Sequence, residues 1–255
     1  MEATVKTQEY KKQHLYIILC AFFLTNALIA EMIGTKLFSL EATLGLSPAN
    51  IQLFENFPLS FNMTAGVVLW PFVFILTDIL NEYFGKEGVK KISYITAALI
   101  SYAFFMIWIA INLSPSDFWI NINSKDGTGN LFNIDYAFST ILGQGLNIIV
   151  GSLVAFLVGQ LLDAYLFEVI KKKTGDKYLW LRSTGSTFIS QLVDSFVVLF
   201  IAFYFMPSPD KRWSLALVFS VGIINYTYKL VMAILLTPLI YVAHYFIDKY
   251  LGKKV

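Results

Sequence analysis

The sequence predicts an all-α polytopic membrane protein with six transmembrane helices and both termini in the cytoplasm. Hydrophobic residues make up 57% of the 255 residues and charged residues only 14%. A soluble domain has roughly 45–50% apolar and about 25% charged residues. The length suits one membrane domain of about six helices, because each span needs ~20 apolar residues. Several of the few charged residues also lie inside apolar segments, whereas the core of a soluble protein rarely contains charged residues.

Six apolar segments are long enough to cross a bilayer, at about residues 15–38, 63–83, 92–113, 136–170, 184–206 and 215–246. The fourth and sixth exceed the length of a simple span, so we expect them to tilt, kink or extend past the membrane. Pro71 lies inside the second segment, where a proline removes a backbone hydrogen bond and can kink a helix. The first segment continues into Glu31 and Lys36, so a cleaved signal peptide is not expected.

Lysine and arginine are distributed unevenly between the two sides of the membrane. If the N-terminus is inside, fourteen lie in inside segments, namely Lys6, Lys11, Lys12, Lys86, Lys90, Lys91, Lys171, Lys172, Lys173, Lys177, Arg182, Lys249, Lys253 and Lys254. The outside loops carry only Lys125, Lys211 and Arg212. An excess of basic residues marks the cytoplasmic side. We therefore expect cytoplasmic tails at 1–14 and 249–255 around a transmembrane domain of 15–248, and a short interfacial helix at 51–57.

Composition also excludes several classes of protein. The single cysteine, Cys20, rules out an intramolecular disulfide and a cysteine-rich metal site. His14 and His244 lie near helix ends and are expected to be interfacial, so no metal or other cofactor is predicted. The net charge of +2 indicates no nucleic-acid partner. Neither a His-Glu-x-x-His nor a Gly-x-Ser-x-Gly motif is present, so the chain is not predicted to be an enzyme.

Charged side chains within the apolar segments indicate a site in the membrane interior. Asp163, Asp194 and Lys229 all lie deep in such segments. Charges there are costly, usually face a protein interior or a water-filled cavity, and mark a substrate or ion path. Lys229 is about fifteen residues from each end of its span, too deep to reach the surface. It should therefore pair with Asp194 or Asp163, and Asn225, four residues earlier, shares its helix face.

The end of the second segment carries two carboxylates on one helix face. Asp78 and Glu82 are four residues apart, and Asn81 lies beside them. In one interpretation these carboxylates pair with nearby Lys86 or Lys90. In another they share a proton, bind a cation or accept hydrogen bonds from a substrate amine.

Two further polar pairs have the same spacing in the fourth and fifth segments. They are Gln160 with Asp163 and Gln191 with Asp194. Both pairs can reach the inner half or the midplane of the bilayer, because each lies only a few turns from the inside loop. Side chains of this kind can also hydrogen-bond neighbouring helices and serve packing alone. In the first segment, Glu31 is expected to face the protein interior.

These motifs together resemble a known family. The pattern Thr77-Asp78-x-x-Asn81-Glu82-x-x-Gly85 with a basic turn, followed by Gln160-x-x-Asp163, Arg182-Ser183-Thr184, Asp194-Ser195 and Tyr228-Lys229, resembles the queuosine-precursor transporter family, also called the vitamin uptake transporter family. The resemblance covers about residues 15–245, although the loop 114–135 is an extension that some members lack. It implies a cell-membrane importer of 7-cyano- or 7-aminomethyl-7-deazaguanine, used in salvage for tRNA modification.

That class of substrate suits the polar side chains of the spans. A deazaguanine edge offers an N–H and an amino group that one carboxylate can accept together, while an amide addresses the carbonyl. The candidate substrate-binding residues are Asp78, Asn81, Glu82, Gln160, Asp163, Gln191, Asp194, Asn225 and Lys229. Arg182 and Glu31 are candidate gate residues. Arg182 either pairs with Glu82 or Asp78 to close the inside mouth or merely marks the cytosolic boundary.

Two other functions fit the same sequence. A substrate-binding subunit of an energy-coupled vitamin importer would have a similar size and would need an ATPase partner. A structural membrane protein has little need for buried aspartate and lysine. The expected partners are a small molecule and the lipid bilayer. The sequence leaves open the exact ligand, the energy source and the oligomeric state, including a homo-oligomer.

Overall fold

The computed structural model describes residues 2–52, 58–143, 146–175 and 177–253. In those residues the elements are, in order, α1 Glu2–Ile33, β1 Leu37–Ser39, α2 Leu40–Thr43, β2 Ile51–Gln52, β3 Pro58–Leu59, β4 Asn62–Thr64, a 3-10 helix Ala65–Val68, α3 Trp70–Ile111, α4 Asp117–Ile122, α5 Ile134–Gly143, α6 Leu146–Thr174, α7 Leu179–Leu199, a π-helical turn Phe200–Phe205, and α8 Leu215–Leu251. The predominance of helix confirms the predicted all-α class.

Five helical segments of the described residues are long and apolar enough to cross a membrane. They are Thr7–Ile33, Trp70–Ile111, Ile134–Thr174, Leu179–Phe205 and Leu215–Leu251, and the shortest has 27 residues. A helix of that length spans ~40 Å, more than the ~30 Å hydrocarbon core of a bilayer. In the most apolar 18-residue stretch of α8, only 11% is buried inside the protein. The remaining apolar surface is suited to lipid, so the chain is a multi-pass membrane protein.

Most of the second predicted span, 63–83, and of the third, 92–113, lies in α3, although α3 begins only at Trp70 and ends at Ile111. Residues 86–91, predicted as a basic turn, continue the helix, and Gly85 has a non-helical conformation with φ 70° and ψ 177°. Glycine adopts a positive φ without steric cost, so the change of direction falls at this residue. Pro71 lies in the first turn of α3, where a missing backbone N–H costs nothing. The predicted kink at Pro71 is therefore wrong.

The outer loop after α1 is partly extended. The first span was predicted to reach residue 38, but α1 ends at Ile33 and Leu37–Ser39 pairs antiparallel with Asn62–Thr64. Ile51–Gln52 pairs in the same way with Pro58–Leu59. These two residues of the predicted interfacial helix at 51–57 are thus strand, which corrects the prediction there. Residues 53–57 lie outside the described part of the chain.

An apolar core joins the long helices. Helix α6 packs mainly against α7 and α3, α7 packs also against α8, and α1 packs against α3. Phe23 of α1, Leu80 and Ile100 of α3, and Phe167 of α6 are fully buried in one cluster. Leu80 and Ile100 lie on opposite sides of Gly85, so both halves of α3 pack on the same core.

Small residues allow α6 and α7 to approach closely. Gly151, Ala155 and Gly159 follow each other at every fourth position of α6, and Ala155 is buried. A Cβ atom at Gly151 would lie 3.2 Å from the carbonyl oxygen of Val198, and one at Gly159 would lie 3.2 Å from Cβ of Asp194. Small residues at this spacing bring membrane helices into direct backbone contact. The contact holds the polar residues of α7 against α6.

Candidate functional site

A polar stripe runs along the buried face of α7. Its members are all buried and comprise Arg182, Ser183, Ser186, Thr187, Ser190 and Gln191. They recur every three or four residues, which places them on one face of a helix. Hydroxyl groups on this face hydrogen-bond carboxylates from α3 and α6. The stripe is therefore the surface on which the predicted site residues meet.

Asp78 of α3 is a buried carboxylate with one oxygen left free. The side chain is 3% exposed, and the hydroxyl of Ser183 donates to its Oδ2. Among the described residues no donor reaches Oδ1, which is also buried. Asp78 lines a cavity of about 20 Å³ together with Ser183, Thr184 and Thr187. A buried acceptor without a donor is costly, so Oδ1 is a candidate acceptor for a ligand.

Asp163 of α6 lies further along the α7 stripe. It is 6% exposed, and its Oδ1 accepts hydrogen bonds from the hydroxyls of Ser190 at 2.9 Å and Thr187 at 3.3 Å. Asp163 is close enough to Asp78 for the two carboxylates to repel each other. Thr187 contacts both Asp163 and the cavity beside Asp78. The two aspartates therefore belong to one continuous polar region.

The predicted amide side chains differ in whether the described residues supply them with hydrogen-bond partners. Oε1 of Gln160 accepts a 2.7 Å hydrogen bond from Thr77. Nδ2 of Asn81 donates to the backbone oxygen of Ala164 at 3.0 Å. These two amides fasten α3 to α6. By contrast, Oε1 of Gln191 is buried and has no donor within the described residues.

Glu82 is the centre of an ion-pair cluster at one end of the site. Its carboxylate lies 2.9 Å from Arg182 and 3.0 Å from Lys171. Arg182 is 3% exposed and also donates to the backbone oxygen of Gly175 at 2.8 Å. The predicted pairing of Arg182 with Glu82 is confirmed. The cluster joins α3 to the loop between α6 and α7.

The alternative in which Lys86 or Lys90 pairs with these carboxylates is wrong, because neither lysine forms an ion pair with Asp78 or Glu82 among the described residues. The ammonium of Lys86 lies over the ring of Tyr165, 4.9 Å from its centroid. Residue Glu82 instead takes its partners from α6 and α7. This pairing arises because α3 is oriented with Glu82 facing α6 and α7.

A second cluster at the same end was not predicted from the sequence. The hydroxyl of Tyr83 donates to Asp248 at 2.9 Å and lies 2.9 Å from Nδ1 of His244. Lys253 pairs with Asp248 at 3.4 Å. His244 is thus partly buried against Tyr83 of α3. The signal available in the sequence was the spacing of His244 and Asp248, which puts both on one face of α8.

Lys229 and Asp194 form the interhelical ion pair that the sequence predicted as one of two choices. The side chains are 13% and 17% exposed. Glu31 of α1 accepts a hydrogen bond from the hydroxyl of Ser152 and lies within electrostatic range of Asp194. Asn225, one turn before Lys229, is partly buried. This group connects α1, α6, α7 and α8.

The carboxylates form a column through the protein, which we call the carboxylate column, consisting of Glu82, Asp78, Asp163, Asp194 and Glu31. Their contacts on α7 follow the order of the chain, from Arg182 through Ser183, Thr187 and Ser190 to Asp194 itself. Arg182 and Asp194 are twelve residues apart, which corresponds to ~18 Å along a helix. The structure thus brings together the predicted acidic residues, while the hydroxyls that hold them were missed.

Long apolar helices around a buried polar column define a multi-pass cell-membrane protein. Residues 64–243 match the family described as "Putative vitamin uptake transporter". That match covers more than half of the chain, and the chain belongs to this family. The family resemblance seen in the motifs is thereby confirmed.

Three relatives share most of this region. The chain is 31% identical over 158 residues to the "Probable queuosine precursor transporter" of Bacillus subtilis, covering 61% of this chain and 63% of that protein. It is 30% identical over 183 residues to the protein of the same description from Haemophilus influenzae, covering 69% and 66%. It is 27% identical over 185 residues to the "Queuosine precursor transporter" of Escherichia coli, covering 69% and 70%. The chain therefore spans slightly less than two thirds of the length of the first two relatives. No solved structure matches it.

Proposed function

We propose that this protein imports queuosine precursors across the cell membrane, with 7-cyano-7-deazaguanine and 7-aminomethyl-7-deazaguanine as its substrates. The observation that carries the proposal is that Asp78, whose buried Oδ1 has no donor among the described residues, lines a cavity together with Thr187, which also contacts Asp163. Relatives described as queuosine precursor transporters supply the substrate class. A transporter needs such groups in the membrane interior, because a polar base must exchange its water for protein partners there.

The free acceptors suit the edge of a deazaguanine. Asp78 can accept the ring N–H and the exocyclic amino group together, and Gln191 offers a further acceptor. Hydrogen bonds to a charged group contribute about 1.5–3 kcal/mol each. The aminomethyl form carries a positive charge, which Asp163 would balance. In this proposal Asn81 and Gln160 position Asp78, because they fasten its helix to α6.

The cavity is far too small for the whole substrate in this conformation. Its volume of about 20 Å³ has room for about one water molecule. Small-molecule sites usually enclose roughly 300–1,000 Å³. The conformation is therefore closed around the site, and substrate entry requires α3, α7 and α8 to separate where they line the cavity. The Glu82 cluster would act as the gate at the inner end, opening when Arg182 releases Glu82.

The proposed topology has six spans, because α3 would cross the membrane twice and reverse at Gly85. The start of α3 follows the 3-10 helix that packs on Ala30, near the end of α1, and the end of α3 packs on Gly143 of α5. The end of α1 lies beside the start of α6, where Glu31 binds Ser152. Both ends of α3 thus lie near the same end of the bundle, as a helical hairpin requires.

Both termini are proposed to be cytoplasmic, with residues 1–14 and 249–255 as tails. Lys11 donates to the backbone oxygen of Tyr250 at 3.1 Å, and His14 lies 3.3 Å from the Tyr250 hydroxyl. The two terminal segments therefore lie at the same end of the bundle. Lys12 lies over the ring of Phe84 at this end, next to Gly85. Because basic residues collect here, the positive-inside rule favours the cytoplasm.

Binding and exchange by the purified protein test the proposal. We expect both deazaguanines to bind the detergent-solubilised protein in calorimetry, and labelled deazaguanine to exchange into proteoliposomes. Asp78→Asn and Asp163→Asn should each weaken binding about 10–100-fold, since each loses a charge-assisted hydrogen bond. Glu168→Gln is the matched control, because Glu168 pairs with exposed Lys172 away from the cavity.

The outcomes separate the functions. A wild-type protein that neither binds nor exchanges either deazaguanine would refute the proposal. Normal binding by Asp78→Asn would move the substrate site away from the cavity. Transport that requires a co-purified ATPase would instead identify a substrate-binding subunit of an energy-coupled importer.

A further inference from the structure

Glu31, Asp194 and Lys229 form a charged group separate from the proposed substrate cavity. Asp194 pairs with Lys229, whereas Glu31 is held by the hydroxyl of Ser152 and lies within electrostatic range of Asp194. None of the three lines the cavity beside Asp78. The group lies at the opposite end of the carboxylate column from Glu82.

The charges in this group do not balance. The group contains one ammonium and two carboxylates, and Lys229 is bound to Asp194. The other elements near Glu31 supply no compensating cation: the 3-10 helix Ala65–Val68 has no ionisable residue, and Lys36 beyond the end of α1 is exposed. The charged residues of α3 are Asp78, Glu82, Lys86, Glu87, Lys90 and Lys91, and those of α6 are Asp163, Glu168, Lys171, Lys172 and Lys173. Among the described residues none of these lysines forms an ion pair with Glu31, and α6 contacts its carboxylate through the hydroxyl of Ser152. An uncompensated carboxylate inside a membrane protein is costly, so it favours binding a positive charge.

A proton suits this site better than a metal ion. Calcium takes six to eight oxygen ligands and magnesium needs octahedral coordination. Within the described part of the chain, the hydrogen bond to the Glu31 carboxylate comes from the hydroxyl of Ser152, and no cluster of three or more metal-ligating side chains is found. The ammonium of Lys229 on Asp194 would also repel a second cation. A proton needs only the carboxylate oxygen itself.

We propose that Glu31, next to the Asp194–Lys229 ion pair, is the proton-binding site that couples substrate import to the proton gradient. This inference rests on the proposed import function. A proton from the outside water adds to the Glu31 carboxylate, giving the neutral acid while the site is open outward. The acid returns the same proton to cytoplasmic water when the site opens inward. With the neutral 7-cyano compound, one positive charge therefore moves inward with each molecule.

Proteoliposomes containing a pH-sensitive dye test the coupling. We expect external 7-cyano-7-deazaguanine to acidify the lumen in the wild type. A lumen one pH unit more alkaline than the outside should drive about tenfold accumulation, which a protonophore abolishes. Glu31→Gln keeps the hydrogen bond to Ser152 but cannot exchange a proton. It should lose both accumulation and acidification while retaining exchange of labelled substrate across equal concentrations.

The controls address folding and the identity of the ion. Glu168→Gln changes a carboxylate outside the column and should behave like the wild type. Glu31→Asp keeps an acid and should keep the proton coupling. If Glu31→Gln does not fold, accumulation and acidification by the wild type and by Glu31→Asp still test the proposal. Accumulation that persists in Glu31→Gln, or that needs sodium and fails in choline, overturns the proton site.

Different results would refute the proposed proton coupling and the proposed import function. Substrate exchange by the wild type without proton movement overturns the coupling alone. The absence of any deazaguanine exchange overturns the proposed function and the coupling with it.

Discussion

Replacing Lys229 with methionine and Asp194 with leucine, singly and together, measures how strongly the ion pair holds α7 to α8. Both side chains are mostly buried, at 13% and 17% exposed. Removing one member of a buried pair costs about 3–5 kcal/mol, because a charge is left without its partner. For a chain of this size each kcal/mol lowers the unfolding temperature by roughly 2–4 °C. Each single variant should therefore unfold about 6–20 °C below the wild type.

The two single variants should not be equal. Lys229→Met leaves Asp194 without a cation and within electrostatic range of a second carboxylate, Glu31, whereas Asp194→Leu leaves Lys229 without its ion-pair partner. We expect the loss of Lys229 to be the more destabilising change. The double variant leaves no broken pair, and an apolar replacement of a buried ion pair is often neutral or stabilising. It should unfold at a higher temperature than either single variant.

Thermal unfolding in detergent, followed by tryptophan fluorescence, is the assay, and transport is measured on the same samples. The control is the same cycle on Lys172 and Glu168, whose side chains are 73% and 37% exposed and should couple by only about 0.3–0.5 kcal/mol. Additive losses at 194 and 229 would show that these residues do not interact and would refute the argument. Normal uptake by the double variant would make the pair a structural element only.

Three further predictions concern topology, packing and pH. In a protein whose Cys20 is replaced, Lys125→Cys should react with an impermeant thiol reagent from outside and Lys173→Cys should be protected; labelling of the latter from outside would disprove the orientation. Gly222→Ala should destabilise the protein by about 1–3 kcal/mol, because its Cβ would lie 2.5 Å from the ring of Phe196, while Gly127→Ala meets nothing within 4 Å and should leave the unfolding temperature unchanged. A hydrogen bond from the backbone N–H of Phe61 lowers the pKa of Glu41 below its ordinary value. The stability that this carboxylate contributes is present above the unfolded pKa of about 4.3 and is lost as the pH falls through the folded pKa. Protection of the Phe61 amide from hydrogen exchange should fall over that acidic range, and Glu41→Gln should abolish the pH dependence; equal protection at all pH values would contradict this role.

The membrane class could be predicted from the sequence because twenty-residue apolar segments have few other uses. The helix boundaries were harder. Four of the six residues 86–91 are charged and the segment resembles a loop, yet lysine and glutamate are good helix formers, so the helix resumes directly after Gly85. The kink at Pro71 was predicted because the span was started at residue 63, seven residues before α3 begins. Proline position has meaning only relative to the true start of a helix.

The acidic residues of the site could also be predicted, because a charge in an apolar segment is conspicuous. The hydroxyls that hold them could have been found from their spacing, since Ser183, Ser186, Thr187 and Ser190 recur every three or four residues. The choice between Asp163 and Asp194 as the partner of Lys229 could not be made. It depends on how α7 and α8 rotate about their axes, which the sequence of neither helix determines alone.

Because α6 and α7 pack closely, the polar residues fall into two groups, one on α6 and α7 and one on α3 and α8. Gly151 and Gly159 leave no space between these helices, so we expect them to move as one unit against α3 and α8. Asp163 and Asp194 travel with that unit, whereas Asp78 and Lys229 belong to the helices that move away from it. One rocking motion would then separate Asp78 from Ser183 and Lys229 from Asp194 at the same time. The exposure of Asp78 and the release of Lys229 from Asp194 would then occur in the same step. Under the proposed function, such a protein would not move the substrate without the proton, or the proton without the substrate.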